Sequence, residues 1–266
     1  MTLHIHTLGA LAIAMGGQTL ALPASRKTRA LLGFLVLTGR PHRRERLCEM
    51  FWDRTDDPKA ALRWSLSKLR PLIHADGRER LLADRERVAI ETTDCVVDRL
   101  WVAERLSALQ LDRHTLSDLI DALDPPLLDG TDLPDCALYQ AWLTAARDEI
   151  FRERRTALRR LAFLPGLDPL ERLAAARQWS DADPYCPDAA THLVAMLTHC
   201  GKATKARQTT EALTARFADA GIPWSAQRGP DPAAPPTTDW QQAQGLLHQP
   251  TIRSCRARYG GTVAYA

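Results

Sequence analysis

Between Ser25 and Ile73 three helical segments follow one another with short breaks, and two short strand patterns come directly after them. Few folds accommodate that order in so little chain. The third segment, DPKAALRWSLSKLRPLI from Asp57 to Ile73, is the most informative. At 3.6 residues per turn, Leu62, Leu66, Leu69 and Ile73 fall on one side, with the i, i+4, i+7, i+11 spacing of a core-facing stripe. Asp57 is placed to cap the first free N–H groups, and Pro58 suits the first helical position. Arg63, Ser67 and Arg70 lie to one side of the opposite face, with Trp64 and Lys68 near its middle. A tryptophan there faces away from its own helix core. Either it packs against a neighbouring element, or the helix presents Arg63, Trp64, Ser67 and Lys68 to a ligand with many phosphates.

The flanking elements narrow the choice. Leu3, Ile5 and Thr7 alternate with His4 and His6 as in a strand, and AIAM and TLAL flank Gly16-Gly17, a hairpin signal. His4 and His6 share a strand face, which suits a surface strand better than a metal site. SRKTRALLGFLVLTGRP is a helix capped by Ser25 and stopped by Gly39 and Pro41, too apolar for a solvent face. RRERLCEMFW is a second, shorter helix opened by Arg43, Arg44 and Arg46. Positive charge opposes the macrodipole at a helix start, so these arginines face an external anion or form a solvated run. Arg26, Lys27 and Arg29, at the start of the first helix, are equally ambiguous. LLAD (81–84) and RVAIE (87–91) form a hairpin around Arg85-Glu86, which carries Arg85 and Arg87. Strands, three helices and a terminal hairpin make the plan of a winged helix, whose third helix enters the major groove while the hairpin touches the backbone.

From about residue 98 to 221 the chain reads as nearly all helix, the longest piece running from Ala137 to Leu164. Two segments begin after Gly166 and Gly201, about 35 residues apart, and the first is a helix, a turn at Asp183-Pro184 and a second helix. That period and layout suit a tetratricopeptide-like hairpin. Leu133, Trp142 and Leu143 are core candidates. Five prolines between 222 and 238 mark a linker. The expected fold is mainly α with small β: a winged helix over 1–97, an all-α tetratricopeptide-like region over 98–221, a Pro-rich linker over 222–250, and a further segment over 251–266.

Charge distribution agrees with this division. Residues 1–100 hold about 17 Lys/Arg against about 12 Asp/Glu, so the net charge of +3 is an N-terminal excess. Such an excess is compatible with nucleic acid there. None of the six cysteines forms a C-x-x-C pair or has a His at ligand spacing, which reads as reduced thiols of a cytoplasmic protein. No secretory signal pattern and no apolar run of membrane-spanning length is present. There is no P-loop, G-x-G-x-x-G or H-E-x-x-H motif, so no cofactor, metal or catalytic residue is expected.

The stretches PASRKTRALLGFLVLTGRPHRRERLCEMFW, ALRWSLSKLR and LLADRERVAI together resemble the response-regulator-type winged helix of SARP-type (Streptomyces antibiotic regulatory protein class) transcriptional regulators. LLDGTDLPDCALYQAWLTAARDEIFRERRTALRRLA resembles the bacterial transcriptional activator domain that follows it in those proteins. The resemblance spans about residues 3–220, and its specificity lies in the order and spacing of the motifs. It implies a DNA-binding regulator, of the activator type, that reads promoter DNA in direct repeats, with RNA polymerase as a contact and the helical region available for homo-oligomerisation. On this sequence the implied DNA-binding residues are Arg63, Trp64, Ser67, Lys68, Arg70, Arg43, Arg44, Arg85 and Arg87. Two departures stand out: the family more often has a polar residue where Trp64 stands, and no receiver domain with its phosphorylated Asp is recognisable, so no phosphorelay is implied. TIRSCRARYGGTVAYA (251–266) is similar to the first strands of an α/β-hydrolase-type domain, or is a disordered tail; it has no G-x-S-x-G elbow. The competing functional reading is a regulatory front end of a C-terminal enzyme that has lost DNA binding.

Overall fold

The computed structural model describes residues 2–226. Most of the linker and all of the hydrolase-like segment expected from the sequence therefore lie outside the described residues.

The chain opens with strands β1 (Leu3–His6), β2 (Ala12–Met15) and β3 (Gln18–Leu20). Alternation sets their faces: Leu3, Ile5 and Ile13 are buried, while His4 and His6 are exposed. Gly16 and Gly17 both take positive φ, which is what a two-residue hairpin turn with the right twist needs. Helix α1 (Arg26–Thr38) is capped by the Ser25 hydroxyl, which accepts from Thr28 N, and ends at Gly39 in the left-handed region. Leu31, Leu32, Leu35 and Val36 are all buried, as expected of a helix apolar all round.

Helices α2 (Arg44–Trp52) and α3 (Pro58–Ile73) complete the trio. Asp57 Oδ1 accepts from Ala60 N at 2.8 Å, with Pro58 in the first turn. Leu62, Leu66, Leu69 and Ile73 are buried together, each contributing about 1.5–3 kcal/mol of transfer free energy. A buried hydrogen bond of 3.0 Å between the Thr28 and Ser65 hydroxyls ties α3 to α1.

The hairpin after α3 consists of β5 (Leu81–Ala83) and β6 (Arg87–Ile90). It has a third strand that periodicity does not reveal. His42 and Arg43 form β4, which pairs with Val88 and Arg87 in a sheet of order β4-β6-β5. This corrects the reading of Arg43 as a helix-opening residue. It is the last residue of β4, and α2 begins at Arg44.

Strand β7 (Cys95–Val97) runs parallel to β1 and completes a four-stranded sheet of order β3-β2-β1-β7. Helix α4 (Asp98–Leu106) follows, and the Asp98 carboxylate accepts from Thr7 N, Leu8 N and the Thr7 hydroxyl at the end of β1. Helices α5 (Arg113–Ala122), α6 (Ala137–Ala162), α7 (Pro169–Ala182), α8 (Pro187–His199) and α9 (Ala203–Asp219) make up the rest. A capping box of Asp168 and Glu171 starts α7. α7 and α8 form the tetratricopeptide-like hairpin, and each helix from α5 to α9 packs on the next. The fold is thus mainly α with small β: a winged helix followed by an all-α, tetratricopeptide-like array.

The two parts share one core. The loop between α5 and α6 returns to the first sheet, where Leu128 N donates to Thr7 O and Asp129 N to Gly9 O, both at 2.8 Å. Leu128, with φ of 51° and fully buried, seats its side chain over Gly33 of α1. Tyr139 of α6 lies 5.0 Å from Phe51 of α2 between ring centroids, and Trp142 lies 4.8 Å from Phe34 of α1. Leu133 and Leu143 are buried there, and Trp142 is half-buried. Of the buried apolar residues described, 33 belong to this shared cluster; successive clusters along the array hold nine, six and three. At the far end, Trp224 stacks on Phe217 of α9 and donates from Nε1 to Pro187 O and Thr191 Oγ1. The first residues after 221 are therefore packed against the array.

Candidate nucleic-acid interface

Helix α3 buries one stripe and presents the other to solvent. Arg63, Trp64, Ser67, Lys68 and Arg70 are all exposed, and Trp64 at 51% is not covered by the helical array. Packing under a neighbouring element, the alternative open from sequence, is not what the ring does. Lys68 Nζ stands 5.6 Å from the Trp64 ring centroid, a cation–π distance. The Ser67 hydroxyl donates to Trp64 O at 2.6 Å. Pro71 lies inside the helix and has no N–H, so the Ser67 carbonyl loses its intrahelical partner on this exposed face.

The wing is shaped by Asp84. Its Oδ1 accepts from Glu86 N and Arg87 N, both at 2.7 Å, closing the turn between β5 and β6. Those two N–H groups hold its carboxyl below the usual carboxylate range. Arg44 fastens the turn to α2: its backbone N–H donates to Glu86 O at 2.8 Å and its Nε to Asp84 O at 2.7 Å. The first N–H of α2 therefore goes to the wing.

Arg43 and Arg87 are register partners across β4 and β6, and both are exposed. Like charges directly opposite on a ladder repel. Among the described residues neither takes part in a salt bridge. Arg85 is exposed at the tip between them and Asp84. The structure thus gathers Arg43, Arg85 and Arg87 on the wing and Arg63, Trp64, Ser67, Lys68 and Arg70 on α3, while Arg44 serves the wing's framework. Arg46 pairs with Glu49 on the surface. Arg29 reaches back to Pro23 O, and Lys27 lies beside Cys136 of the helical region, so the first-helix cations are partly engaged internally.

The sequence reading missed Arg80, which is 1% exposed and uses all five of its donors. Nε donates to Asp94 Oδ1 at 2.8 Å; Nη1 donates to Ile73 O at 2.8 Å and Asp76 Oδ1 at 2.6 Å; Nη2 donates to Asp76 Oδ2 at 2.6 Å and Asp94 Oδ2 at 2.9 Å. Arg78 adds a third bond to Asp94. The Arg80 guanidinium holds both carboxyls far below the usual range, and they in turn raise its own basicity. In sequence Arg80 looks no different from Arg78; the only trace is an arginine lying between two aspartates that flank a hairpin.

Cys48, Cys95, Cys136, Cys186 and Cys200 are free thiols. Burial raises the first four, Cys95 to about 11, so they stay protonated near neutrality. Among the described residues no helix is long and apolar enough to cross a membrane.

A winged helix with an exposed cationic third helix, carried on a helical array, is the architecture these observations define. The described fold is similar to that of Mycobacterium tuberculosis EmbR, solved in complex with a low affinity phosphopeptide, with a TM-score of 0.62 and 20% identity. The match covers 93% of this chain and 66% of that one. The likeness is one of fold. No protein-family model matches the chain, and no curated protein matches it.

Proposed function

We propose that this chain is a DNA-binding transcriptional regulator, of the activator type, that reads promoter DNA with α3 and grips the backbone with its wing. The observation that carries this reading is the open, cationic outer face of α3, with Arg63, Trp64, Ser67, Lys68 and Arg70 free of the helical array. Arg63 and Arg70 supply phosphate contacts or bidentate guanine contacts, and Ser67 a small adaptable one. Trp64 offers its ring to a thymine methyl or a sugar. On the wing, the repulsion between Arg43 and Arg87 is relieved when a phosphate sits between them, and Arg85 extends that contact. Arg44 holds the wing in place. The winged helix (1–97) is the reading unit, and the array (98–221) is the surface for self-association or for a protein partner such as RNA polymerase. The fold likeness to EmbR agrees with this reading. The protein acts in the cytoplasm and needs no cofactor for this role.

The test uses the full chain, because the core runs across residue 97. Retardation of duplex DNA at low salt is expected, falling by roughly a thousandfold or more between 50 and 200 mM salt if six or more phosphates are contacted. Replacing Arg43 or Arg87 with Ala lowers the salt slope by about 1 each. Trp64→Ala weakens binding. Absence of retardation on any promoter DNA at low salt defeats this reading and leaves the front-end role without DNA.

A further inference from the structure

The last turn of α3 lacks one of its internal hydrogen bonds. Pro71 has no N–H to give the Ser67 carbonyl, but His74 N still donates to Arg70 O at 2.9 Å, so the turn remains continuous with the helix. Arg70, one of the exposed cations, sits at that joint. A second hold on the turn comes from outside the helix. Arg80 Nη1 donates to Ile73 O, the carbonyl of the last helical residue, and the same fork grips Asp76 in the following turn and Asp94 before β7. Two neighbouring bonds lie in the same place: Leu81 N donates to His74 Nε2 at 3.0 Å, and Glu91 N to Arg80 O at 2.8 Å. Arg80 therefore joins the end of α3 and the approach to β7 through its side chain, and the root of β5 and β6 through its backbone; β7 in turn pairs with β1.

Apolar residues in place of the whole cluster would keep its burial, so a buried ion pair is weak support for stability alone. What an arginine adds is direction, because its planar fork fixes the angles between the groups it joins, which a lysine's three rotatable donors do not. We propose that Arg80 is a positioning residue for DNA reading: it sets the angle between α3 and the wing, so that Arg63, Ser67 and Arg70 meet base edges while Arg43, Arg85 and Arg87 meet the backbone. This rests on the DNA-binding reading above. Non-specific binding depends on the cations being present; selectivity depends on their mutual placement.

The test is Arg80→Lys in the full chain, with Asp94→Asn as a second variant that removes the charge and one of the two acceptors on that side of the fork and leaves the Asp76 and Ile73 contacts. Duplexes are first selected with the wild-type protein from a random-sequence pool, and affinity for the selected duplexes is then compared with affinity for the unselected pool. Both variants are expected to bind the pool as the wild type does while losing at least about tenfold in selectivity, the scale of one misread base pair. Amide hydrogen exchange is measured alongside: Leu72–His74 and β5–β6 lose protection together, while α7 and α8 do not change. Wild-type selectivity in a variant that has lost that protection overturns the positioning role, as does unchanged protection. If the wild type selects no duplex, the DNA-binding reading fails; the exchange result alone then decides whether Arg80 joins α3 to the wing.

Discussion

Gly33 should respond to an added methyl in opposite ways depending on a residue nearly a hundred positions away. A Cβ at 33 would sit 2.6 and 2.7 Å from the two methyl carbons of Leu128 and 3.2 Å from its Cγ. Leu128 has little freedom to step aside: it is fully buried, its φ is 51°, and its N–H is bonded to Thr7 O. Gly33→Ala in α1 gains about 1 kcal/mol of helix propensity. Overpacking a tight contact costs about 1–3 kcal/mol, so the net change is about 0–2 kcal/mol of destabilisation. Leu128→Ala alone costs about 2–5 kcal/mol by opening a cavity. In that background the obstructing methyls are gone, and Gly33→Ala becomes stabilising by up to about 1 kcal/mol. The four proteins form a cycle with a coupling of about 1–3 kcal/mol. Urea midpoints at constant m value measure it. If Gly33→Ala moves the midpoint equally in both backgrounds, the loop between α5 and α6 does not seat on α1 as described.

His42 gives a pH dependence. Burial, aided by Arg40, pushes its ring down to about 4, and Thr38, whose hydroxyl donates to Phe34 O, accepts from its Nε2. An unfolded chain takes up that proton near 6.5, so stability from this group is complete above about 6.5 and declines as pH falls to about 4. His42→Gln flattens the decline in a series of melts across that range; an unchanged slope refutes the assignment. Trp224→Ala removes a half-buried ring and two hydrogen bonds, at less than the ~3–5 kcal/mol of a fully buried one. Tryptic cleavage at Arg207 and Arg216 in α9 should accelerate, and wild-type cleavage rates there would show that the ring does not close the array.

What could be read in advance was whatever repeats at a fixed period. Leu62, Leu66, Leu69 and Ile73 announce the buried face of α3, and with it the outward face of Trp64, because 3.6-residue spacing leaves no other choice. Asp57-Pro58, Ser25 and Gly39 mark helix ends by local chemistry that needs no partner. β4 and β7 were missed for the opposite reason: His42-Arg43 and Cys95-Val97 are too short to show alternation, and their partners lie far off in the chain. Arg80 is invisible for the same reason, since its acceptors come from three separate segments. The left-handed backbone at Leu128 has no glycine or asparagine to signal it. Of the interface, the cations themselves were legible, but not the pairing that sets Arg43 against Arg87.

The thinning of the core from the shared cluster toward Trp224 bears on how such a molecule changes over evolutionary time. Each layer of a stacked array is supported mainly by its neighbours. Substitutions, insertions or an added repeat beyond α7 therefore disturb a cluster of six or three buried residues, while the 33 beneath α3 remain as they were. One end of the chain can be refitted to new partners without redrawing the surface at the other.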